Sequence, residues 1–390
     1  MKAFRADRAF DGDRVLPGGA LVLLAGDIIA GVEPASAPVP DGCEVTYLPG
    51  TTLLPGLIDT HVHLCADGGP DALDRIPSLS PAELDDVITA ALETQLAAGV
   101  TTVRDLGDHR FAVVARRLAN VVAAGPPITS MRGHCWSMGG EASGEDELRR
   151  AVRERAERGA DLVKIMASGG TMTVTTDVTA EQFTVDELRA VVDEAHRHGL
   201  PVAAHAHALT AVRHCIEAGV DNIEHCTCVV PGGVAAPPDV TAALVAAGTA
   251  VCPTLGRRRG MTELPPQVKA MMERTGVTLE GRRAQVGELV RAGVTLISGG
   301  DAGINPGKPH GVLPESVIDL AGCGMPAPQA LASATGGAAN ACRIADRTGR
   351  LRAGLAADLL LVDGDPARDI TALRDVRMVV ARGELFGGDA

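Results

Sequence analysis

The chain has 390 residues, of which 46% are hydrophobic and 2% aromatic, and this length suits one large domain, or a main domain with a smaller companion, around an aliphatic core. Its formal net charge is −13 at pH 7. That charge opposes the phosphate backbone of nucleic acids, which attracts clustered Lys and Arg, so nucleic acid is excluded as a partner.

The first 54 residues are predicted to contribute to a small β domain. They contain three short β-type pieces broken by Gly and Pro, at residues 19–24, 28–32 and 44–48. Acidic residues interrupt the extreme N-terminus before any apolar run, so it lacks the layout of a secretory signal, and we expect a cytoplasmic protein. The longest uncharged stretch, residues 320–342, contains several Gly and Pro and does not predict a membrane-spanning helix.

Residues 55–348 predict an α/β fold, a (β/α)8 TIM barrel. Eight short apolar segments of β type follow Gly or Pro, and amphipathic helical stretches separate most of them. The segments are residues 56–63, 100–104, 128–131, 162–166, 202–205, 220–225, 249–253 and 294–298. A barrel of this kind carries its chemistry at the C-terminal ends of its strands. Residues 349–390, with β-type pieces at 358–362 and 376–382, are predicted to complete a small β-sandwich domain with residues 1–54.

Two histidines mark the end of the first predicted barrel strand. Alternate residues of a strand face the same side, so His61 and His63 would both point into the mouth of the barrel. Two imidazoles aimed at one point form half of a zinc site. By themselves, two histidines at this spacing are more often ordinary surface or core residues.

Four more residues able to bind a metal lie at other strand ends, and they are Lys164, His205, His225 and Asp301. Each also has an interpretation without a metal. Lys164 could be a salt-bridged lysine or the Schiff-base lysine of an aldolase-like barrel, the histidines could be hydrogen-bonded residues of the rim, and Asp301 could lie in a turn. Their joint occurrence at matched strand ends favours a single shared site. A protonated lysine repels metal, so Lys164 would have to become a carbamate by adding CO2, and a carbamate bridges two cations.

Two loops add candidates for substrate binding. The loop at residues 133–140 follows the third predicted strand and holds the only Trp of the chain, Trp136, together with His134. Arg257 opens a run of three arginines that could bind a carboxylate through paired hydrogen bonds, although a solvated basic turn is the commoner use of such a run. Residues 67–81, 171–183 and 256–281 are predicted to form the walls and lid of the pocket.

These motifs resemble the amidohydrolase superfamily over nearly the whole chain. The resemblance rests on residues 54–64, 99–105, 163–165, 204–207, 223–225, 298–301 and 349–359. The branch that it resembles is that of the imidazolonepropionase-like amidohydrolases, which include Xaa-Pro dipeptidases, N-acyl amino-acid carboxypeptidases and ochratoxin-type amidases.

The resemblance implies a binuclear centre with a role for each residue. His61 and His63 resemble ligands of the buried metal, and Asp301 resembles its further ligand and the proton shuttle. Lys164 resembles the carboxylated bridge. His205 and His225 resemble ligands of the more exposed metal. The remaining candidates for contact with the substrate are His134, which resembles a family histidine at the scissile carbonyl, His207, Trp136 and Arg257.

We therefore expect a metal-dependent hydrolase that cleaves the amide bond of a small molecule, an N-acyl amino acid or a dipeptide, by means of a hydroxide held between two divalent ions. Zinc suits the imidazole, carboxylate and carbamate ligands, although Mn, Co or Fe fit the same donors. The alternatives are a lactone or ester hydrolase, a mononuclear cyclic-amidine hydrolase or deaminase, and a scaffold protein without activity. Membrane partners are not expected, and related enzymes are frequently homo-oligomers.

Overall fold

A computed structural model describes residues 1–386, which form a mixed α/β fold. The strands are β1 (Lys2–Ala6), β2 (Arg8–Phe10), β3 (Val15–Leu16), β4 (Ala20–Ala25), β5 (Ile28–Pro34), β6 (Glu44–Tyr47), β7 (Thr51–Pro55), β8 (Leu57–Val62), β9 (Val100–Asp105), β10 (Val121–Ala123), β11 (Val163–Met166), β12 (Val202–Ala208), β13 (Asn222–Val230), β14 (Gly233–Val234), β15 (Ala250–Cys252), β16 (Leu359–Asp363), β17 (Val376–Ala381) and β18 (Glu384–Phe386).

The α-helices are α1 (Ala72–Arg75), α2 (Pro81–Ala97), α3 (Ala112–Arg116), α4 (Gly144–Arg158), α5 (Val185–Arg197), α6 (Leu209–Ala218), α7 (Pro238–Ala247), α8 (Pro266–Thr275), α9 (Leu279–Arg291), α10 (Leu313–Gly322), α11 (Ala327–Ala332) and α12 (Gly336–Ala341). Short 3-10 helices occupy Ile76–Ser78, Trp136–Met138 and Ile370–Arg374. A capping box opens α5, because the Thr184 side chain accepts from Glu187 N–H and the Glu187 side chain accepts from Thr184 N–H. Over residues 1–386, no helix combines the length and the apolar character needed to cross a bilayer.

Strands from both ends of the chain share one sheet. The six-stranded sheet has the order β18-β17-β16-β7-β2-β3, in which Leu359 of β16 pairs with Pro55 of β7. A four-stranded sheet, β5-β4-β1-β6, contributes Phe4 and Val22 to the same buried apolar cluster as Leu53 and Leu359. The predicted domain limits after residues 54 and 348 stay predictions, and residues 387–390 of the C-terminal segment lie outside the described residues.

The central strands run parallel in two groups. The first group has the order β10-β9-β8, and the second contains β11, β12, β13 and β15 as parallel neighbours. Six of the eight predicted central strands are therefore present as strands. Helices α4, α5 and α6 lie between these strands in the chain, as the amphipathic pattern predicted.

The prediction of a third strand at residues 128–131 was wrong. The strand in this part of the chain is β10, and residues 128–131 make only single parallel bridges, from Ile128 to Ile165 and from Thr129 to Glu141. Pro126 and Pro127 lack the N–H groups that a continuous ladder requires, so the chain cannot carry β10 on into residue 128.

The predicted eighth segment, residues 294–298, also falls short of a regular strand. It makes one parallel bridge, between Leu296 and Val251. On its other side, the N–H of Thr60 in β8 donates to the carbonyl of Ser298 at 3.1 Å. Backbone hydrogen bonds thus connect this segment to both neighbours, and they place Asp301, three residues after Ser298, next to the end of β8.

Candidate metal centre

One cavity brings together all six predicted metal ligands. It has a volume of about 170 Å3 and lies at the ends of the central strands. The six residues in its lining are His61, His63, Lys164, His205, His225 and Asp301. Five of these side chains lie in or directly after β8, β11, β12 and β13, and Asp301 follows the segment at residues 294–298 that is hydrogen-bonded to β8.

His61, His63 and Asp301 form the first ligand group of this cavity. The Nε2 atoms of His61 and His63 each lie 3.3 Å from Oδ1 of Asp301. His61 Nδ1 lies 2.8 Å from Oε2 of Glu224, and His63 Nδ1 lies 3.3 Å from the carbonyl of Gly107. Both partners accept hydrogen bonds, so each Nδ1 carries the proton and each Nε2 presents a lone pair to Asp301. Three lone-pair atoms facing one point fit a divalent cation.

A buried ion pair supports His61 from behind. Arg104 Nη2 donates to Oε1 of Glu224 at 2.8 Å, while its Nη1 and Nε donate to Asn222 Oδ1 and to the carbonyl of Thr60. Arg104 and Glu224 are both fully buried. Burial alone would raise the pKa of Glu224, but the charge of Arg104 and the hydrogen bond from His61 lower it to about 2. The carboxylate therefore stays ionised and fixes the tautomer of His61.

Replacing Glu224 by Gln is expected to weaken metal binding at His61 by about 10- to 100-fold, because the amide removes the negative charge that holds the imidazole and pairs with Arg104. Metal content and the dissociation constant for Zn²⁺, measured by competition with a chelating dye, report this change. Glu217→Gln, which changes an exposed glutamate of α6, is the matched control. Equal metal affinity in the two variants would contradict a supporting role for Glu224.

A second ligand group contains three histidines, His205, His207 and His225. The ring centres of His205 and His207 lie 4.6 and 4.5 Å from that of His225. His205 Nε2 lies 3.1 Å from the carbonyl of Gly169, so its Nδ1 carries the free lone pair. In the structure, His207 therefore lies as close to His225 as His205 does, although the sequence analysis assigned only His205 and His225 as ligands.

Lys164 lies in the same cavity without any hydrogen-bond partner. Its Nζ is buried and makes no hydrogen bond to the described residues, and its side chain is 1% exposed. Burial lowers the pKa of this amine. An ammonium group in this position would be an uncompensated buried charge, which proteins avoid. The neutral amine is the form that reacts with CO2, so the surroundings of Lys164 fit a carbamate.

Five histidines of the cavity are held in their neutral form by burial. Burial lowers the pKa of His61 and of His207 to about 4 and that of His134 to about 3. It also holds the pKa of His205 and His225 well below the usual value. Neutral imidazole is the metal-binding form, so all of these rings are available as ligands or hydrogen-bond partners at neutral pH.

The metal-free protein is therefore expected to lose stability as the pH falls from about 6.5 towards 4. In this range the unfolded histidines bind protons that the folded ones do not, so unfolding is favoured at lower pH, by up to about 1.4 kcal/mol per histidine and pH unit. Burial raises the pKa of Asp59 and of Asp108 to about 7. These carboxyl groups stabilise the folded protein as the pH falls, but they are fewer than the histidines. Melting temperatures of protein treated with EDTA should fall between pH 7 and 5, and less steeply in His207→Gln. A melting temperature at pH 5 equal to or above that at pH 7 would contradict the expected loss of stability.

His134 reaches the cavity from the loop after β10. Its Nδ1 lies 2.9 Å from the hydroxyl of Thr173, and that hydroxyl also accepts from the N–H of Cys135 at 3.1 Å. The hydroxyl can thus donate to Nδ1, which leaves the proton of the neutral ring on Nε2. Gly170 packs against this ring so closely that a Cβ at this position would lie 2.3 Å from Nε2. The loop therefore places a neutral hydrogen-bond donor beside the ligand groups.

The backbone is strained around the site. His225, Thr254 and Asp301 have φ values of 65°, 47° and 52°, in a region that residues other than glycine rarely adopt. The Thr254 hydroxyl lies 2.8 Å from Nδ1 of His225, so two of the three strained residues contact each other. Strain of this kind is retained where a side chain must point in one direction, which is common at functional sites.

A second and larger cavity, of about 540 Å3, adjoins the metal-type cavity. Both are lined by His207, His225 and Thr254. Of the predicted wall segments, residues 256–281 and 171–183 contribute to the larger cavity, and Leu73 of the segment 67–81 lines the smaller one.

Two of the predicted substrate residues lie apart from the ligand groups. Arg257 lines the larger cavity but not the smaller one. Trp136 is 38% exposed and borders a third cavity, of about 240 Å3, which shares Leu73, Cys135 and Met172 with the smaller cavity. Arg132 lies over the Trp136 ring at 5.2 Å. His134 and His207, in contrast, both line the smaller cavity.

Three further residues of the site were not predicted from the sequence. They are Arg104 and Glu224, which support His61, and Lys308, which lines both cavities. The sequence around Glu224 could have indicated its role, because an acidic residue within an otherwise apolar strand needs a buried partner. Lys308 lies in an ordinary polar turn, and nothing in its local sequence distinguishes it.

Comparison with known proteins places this geometry in context. The sequence profile of the amidohydrolase family matches residues 52–386. Ochratoxinase of Aspergillus niger is 27% identical over 386 residues, covering 86% of this chain and 76% of its own. Imidazolonepropionase of Deinococcus radiodurans is 27% identical over 392 residues, covering 92% and 89%. The crystal structure of a Xaa-Pro dipeptidase with bound methionine in the active site is similar with a TM-score of 0.85 and 28% identity, covering 99% of this chain and all of that one.

Proposed function

The chain belongs to the amidohydrolase family, and from that premise we propose that it is a binuclear metal-dependent hydrolase that cleaves an amide bond of an N-acyl amino acid, a dipeptide or a related small amide. The observation that carries this proposal is the convergence of six ligand-type side chains from distant strands on one cavity. The names of the relatives agree with it, since a dipeptidase hydrolyses an amide bond.

The residues of the two ligand groups fit two divalent cations. His61, His63 and Asp301 would hold one, and His205 and His225 the other, with His207 beside them and facing the larger cavity. Imidazole and carboxylate donors suit zinc, and also Mn, Co or Fe. When bound, such ions polarise the carbonyl of the substrate and lower the pKa of water.

Lys164 would join the two groups as a carbamate. Its neutral Nζ attacks the carbon of CO2, an N–C bond forms, and one proton leaves to solvent. The product is an anion with two oxygen donors, which replaces a buried amine that has no hydrogen-bond partner. This change supplies the bridge that the ammonium form cannot provide, and it favours a binuclear over a mononuclear centre.

Asp301 and His134 would handle the proton and the developing charge. Burial alone would raise the pKa of Asp301, but His61 and His63 hold it well below its usual value, so its carboxylate is ionised and able to accept a proton. It would take that proton from the attacking water and deliver it to the nitrogen of the departing amine. His134 would donate from Nε2 to the carbonyl oxygen, where negative charge develops.

We also propose the arrangement of the domains. The central parallel strands and the segment at residues 294–298 would form a (β/α)8 barrel, with a β-sandwich built from residues 1–54 and 349–390 beside it. The bridges on both sides of the segment at residues 294–298 and the shared apolar cluster of the two terminal sheets support this arrangement. A cytoplasmic location and a homo-oligomeric state stay predictions.

The proposal is tested by loading metal-depleted protein with Zn²⁺, Mn²⁺ or Co²⁺ and offering N-acyl amino acids, dipeptides, lactones and cyclic amidines. We expect two ions per chain and hydrolysis of the first two substrate classes. Full activity with one ion per chain would overturn the binuclear centre, and turnover of lactones or amidines alone would overturn the amide substrate. Protein that binds no divalent ion would favour a scaffold.

A further inference from the structure

Lys308 lies where the two cavities meet. It lines the smaller cavity with Asp301 and His225, and it lines the larger cavity as well. A group bound to its Nζ would therefore be next to the ligand groups on one side and to the apolar walls on the other. The proposed mechanism assigns no role to Lys308.

The ammonium group of Lys308 uses two of its three N–H donors within the protein. Its Nζ donates to the carbonyls of Thr254 and Leu255, at 2.6 and 2.9 Å. An ammonium has three N–H donors, so the third stays available. No salt bridge joins Lys308 to a carboxylate among residues 1–386. A cation so largely enclosed gains from an anionic partner, and a ligand could supply one.

The other cations near the larger cavity are less suited to this task. Arg282 donates to the carbonyls of His225, Cys226 and Pro253 and to Gln285, so its guanidinium is committed to the loops around the site. Arg283 is paired with Asp319 at 2.5 Å. Arg257 has no such partner among the described residues, but it lines the larger cavity and not the smaller one.

We propose that Lys308 binds the free carboxylate of the amino acid released from the substrate, and that the larger cavity receives the apolar side chain of that amino acid. This inference rests on the proposed function and narrows its substrate class. In an N-acyl amino acid, only the amide nitrogen and one carbon separate the carboxylate from the scissile carbonyl. The anchor must then lie beside the ligand groups, as Lys308 does and Arg257 does not.

The larger cavity indicates which amino acid is accepted. Its walls include a group of aliphatic side chains and thioethers, among them Val229, Leu255, Val268, Met271, Met272 and Val277. These suit a Met, Leu or Phe side chain through burial of apolar surface. An internal peptide bond, whose following residue has no free carboxylate, would not use the Lys308 anchor, so the enzyme would act on the last amide bond of short substrates.

Binding to metal-free protein tests the anchor without any catalysis. Calorimetric titration of EDTA-treated protein with N-acetyl-L-methionine and with N-acetyl-L-methioninamide compares two ligands that differ in the carboxylate. We expect the acid to bind at least about 10-fold more tightly than the amide, and Lys308→Met to remove that difference while leaving binding of the amide unchanged. Arg257→Met, the matched control, should keep the preference for the acid.

The other outcomes are equally informative. Equal binding of the acid and the amide by the unaltered protein overturns the inference, and this comparison needs no variant to fold. If only Arg257→Met loses the preference for the acid over the amide, Arg257 rather than Lys308 binds the carboxylate. If Lys308→Met weakens the binding of the acid and of the amide equally, the lysine only supports the loop at Thr254 and Leu255, and the inference is wrong. If the preference holds but the metal-loaded enzyme hydrolyses no amide, the proposed function fails and the carboxylate site stands.

Discussion

Replacing Lys164 by Ala is expected to lower kcat by at least about 1,000-fold and to reduce the bound metal to less than two ions per chain. Changes behind a metal ligand cost about 10- to 100-fold, and loss of a ligand shared by two ions should cost more. The substitution also leaves His61 and His225 facing each other without the anionic bridge that would offset two cations. Metal analysis and steady-state kinetics on N-acetyl-L-methionine measure both effects.

The control for this variant is Lys269→Ala, which removes an exposed lysine of α8 whose nearest carboxylate, that of Glu273, is 4.0 Å away. Its activity and metal content should match those of the unaltered protein. A carbamate can be observed directly, since protein equilibrated with 13C-labelled bicarbonate should give a carbamate resonance in carbon NMR that is absent from Lys164→Ala. Near-normal turnover by that variant would contradict the bridging role of Lys164.

Replacing Asp301 by Asn is expected to lower kcat by about 100- to 10,000-fold, the range typical for loss of a general acid–base group. The amide keeps the size of the side chain but cannot accept a proton from water or deliver one to the leaving amine. It also presents a weaker ligand at the point where the Nε2 atoms of His61 and His63 converge. The pH profile separates these effects, because the acidic limb of kcat should disappear in Asp301→Asn even when excess metal is supplied.

Asp186→Asn, an exposed change in the first turn of α5, serves as the comparison and should retain full activity. If excess Zn²⁺ restored Asp301→Asn to normal turnover with its acidic limb intact, Asp301 would be a ligand only. The proton would then have to be carried by another group in the cavity. His134 lines the same cavity, and its variant would be measured next.

The sequence identified the metal-type residues because their chemistry is visible locally. Histidines at alternate positions of a strand share a face, and a lysine or aspartate at the end of a buried strand needs a special reason to be there. Local patterns of apolar residues likewise predicted six of the central strands. The motifs at residues 54–64 and 223–225 also carried the family resemblance, which the profile match over residues 52–386 confirms.

The sequence was less reliable where backbone hydrogen bonds decide the outcome. Residues 128–131 have the β-branched and apolar composition of a strand, but the two preceding prolines remove ladder donors, and the strand forms earlier, at β10. Trp136 attracted notice as the only tryptophan, yet its ring lies outside the cavity that holds the ligands. Rarity in a sequence says nothing about the direction of a side chain.

By itself, the sequence predicted which side chains have metal-ligand chemistry and placed most of them at strand ends, because these follow from side-chain type and from the two-residue period of a strand, and its motifs indicated the family. Only the tertiary structure decided what stands behind and beside those ligands. It brought Arg104 to Glu224 across 120 positions of the chain and Lys308 to the carbonyls of Thr254 and Leu255. Such contacts depend on which strands and loops become neighbours, and long-range packing fixes that choice rather than any local pattern.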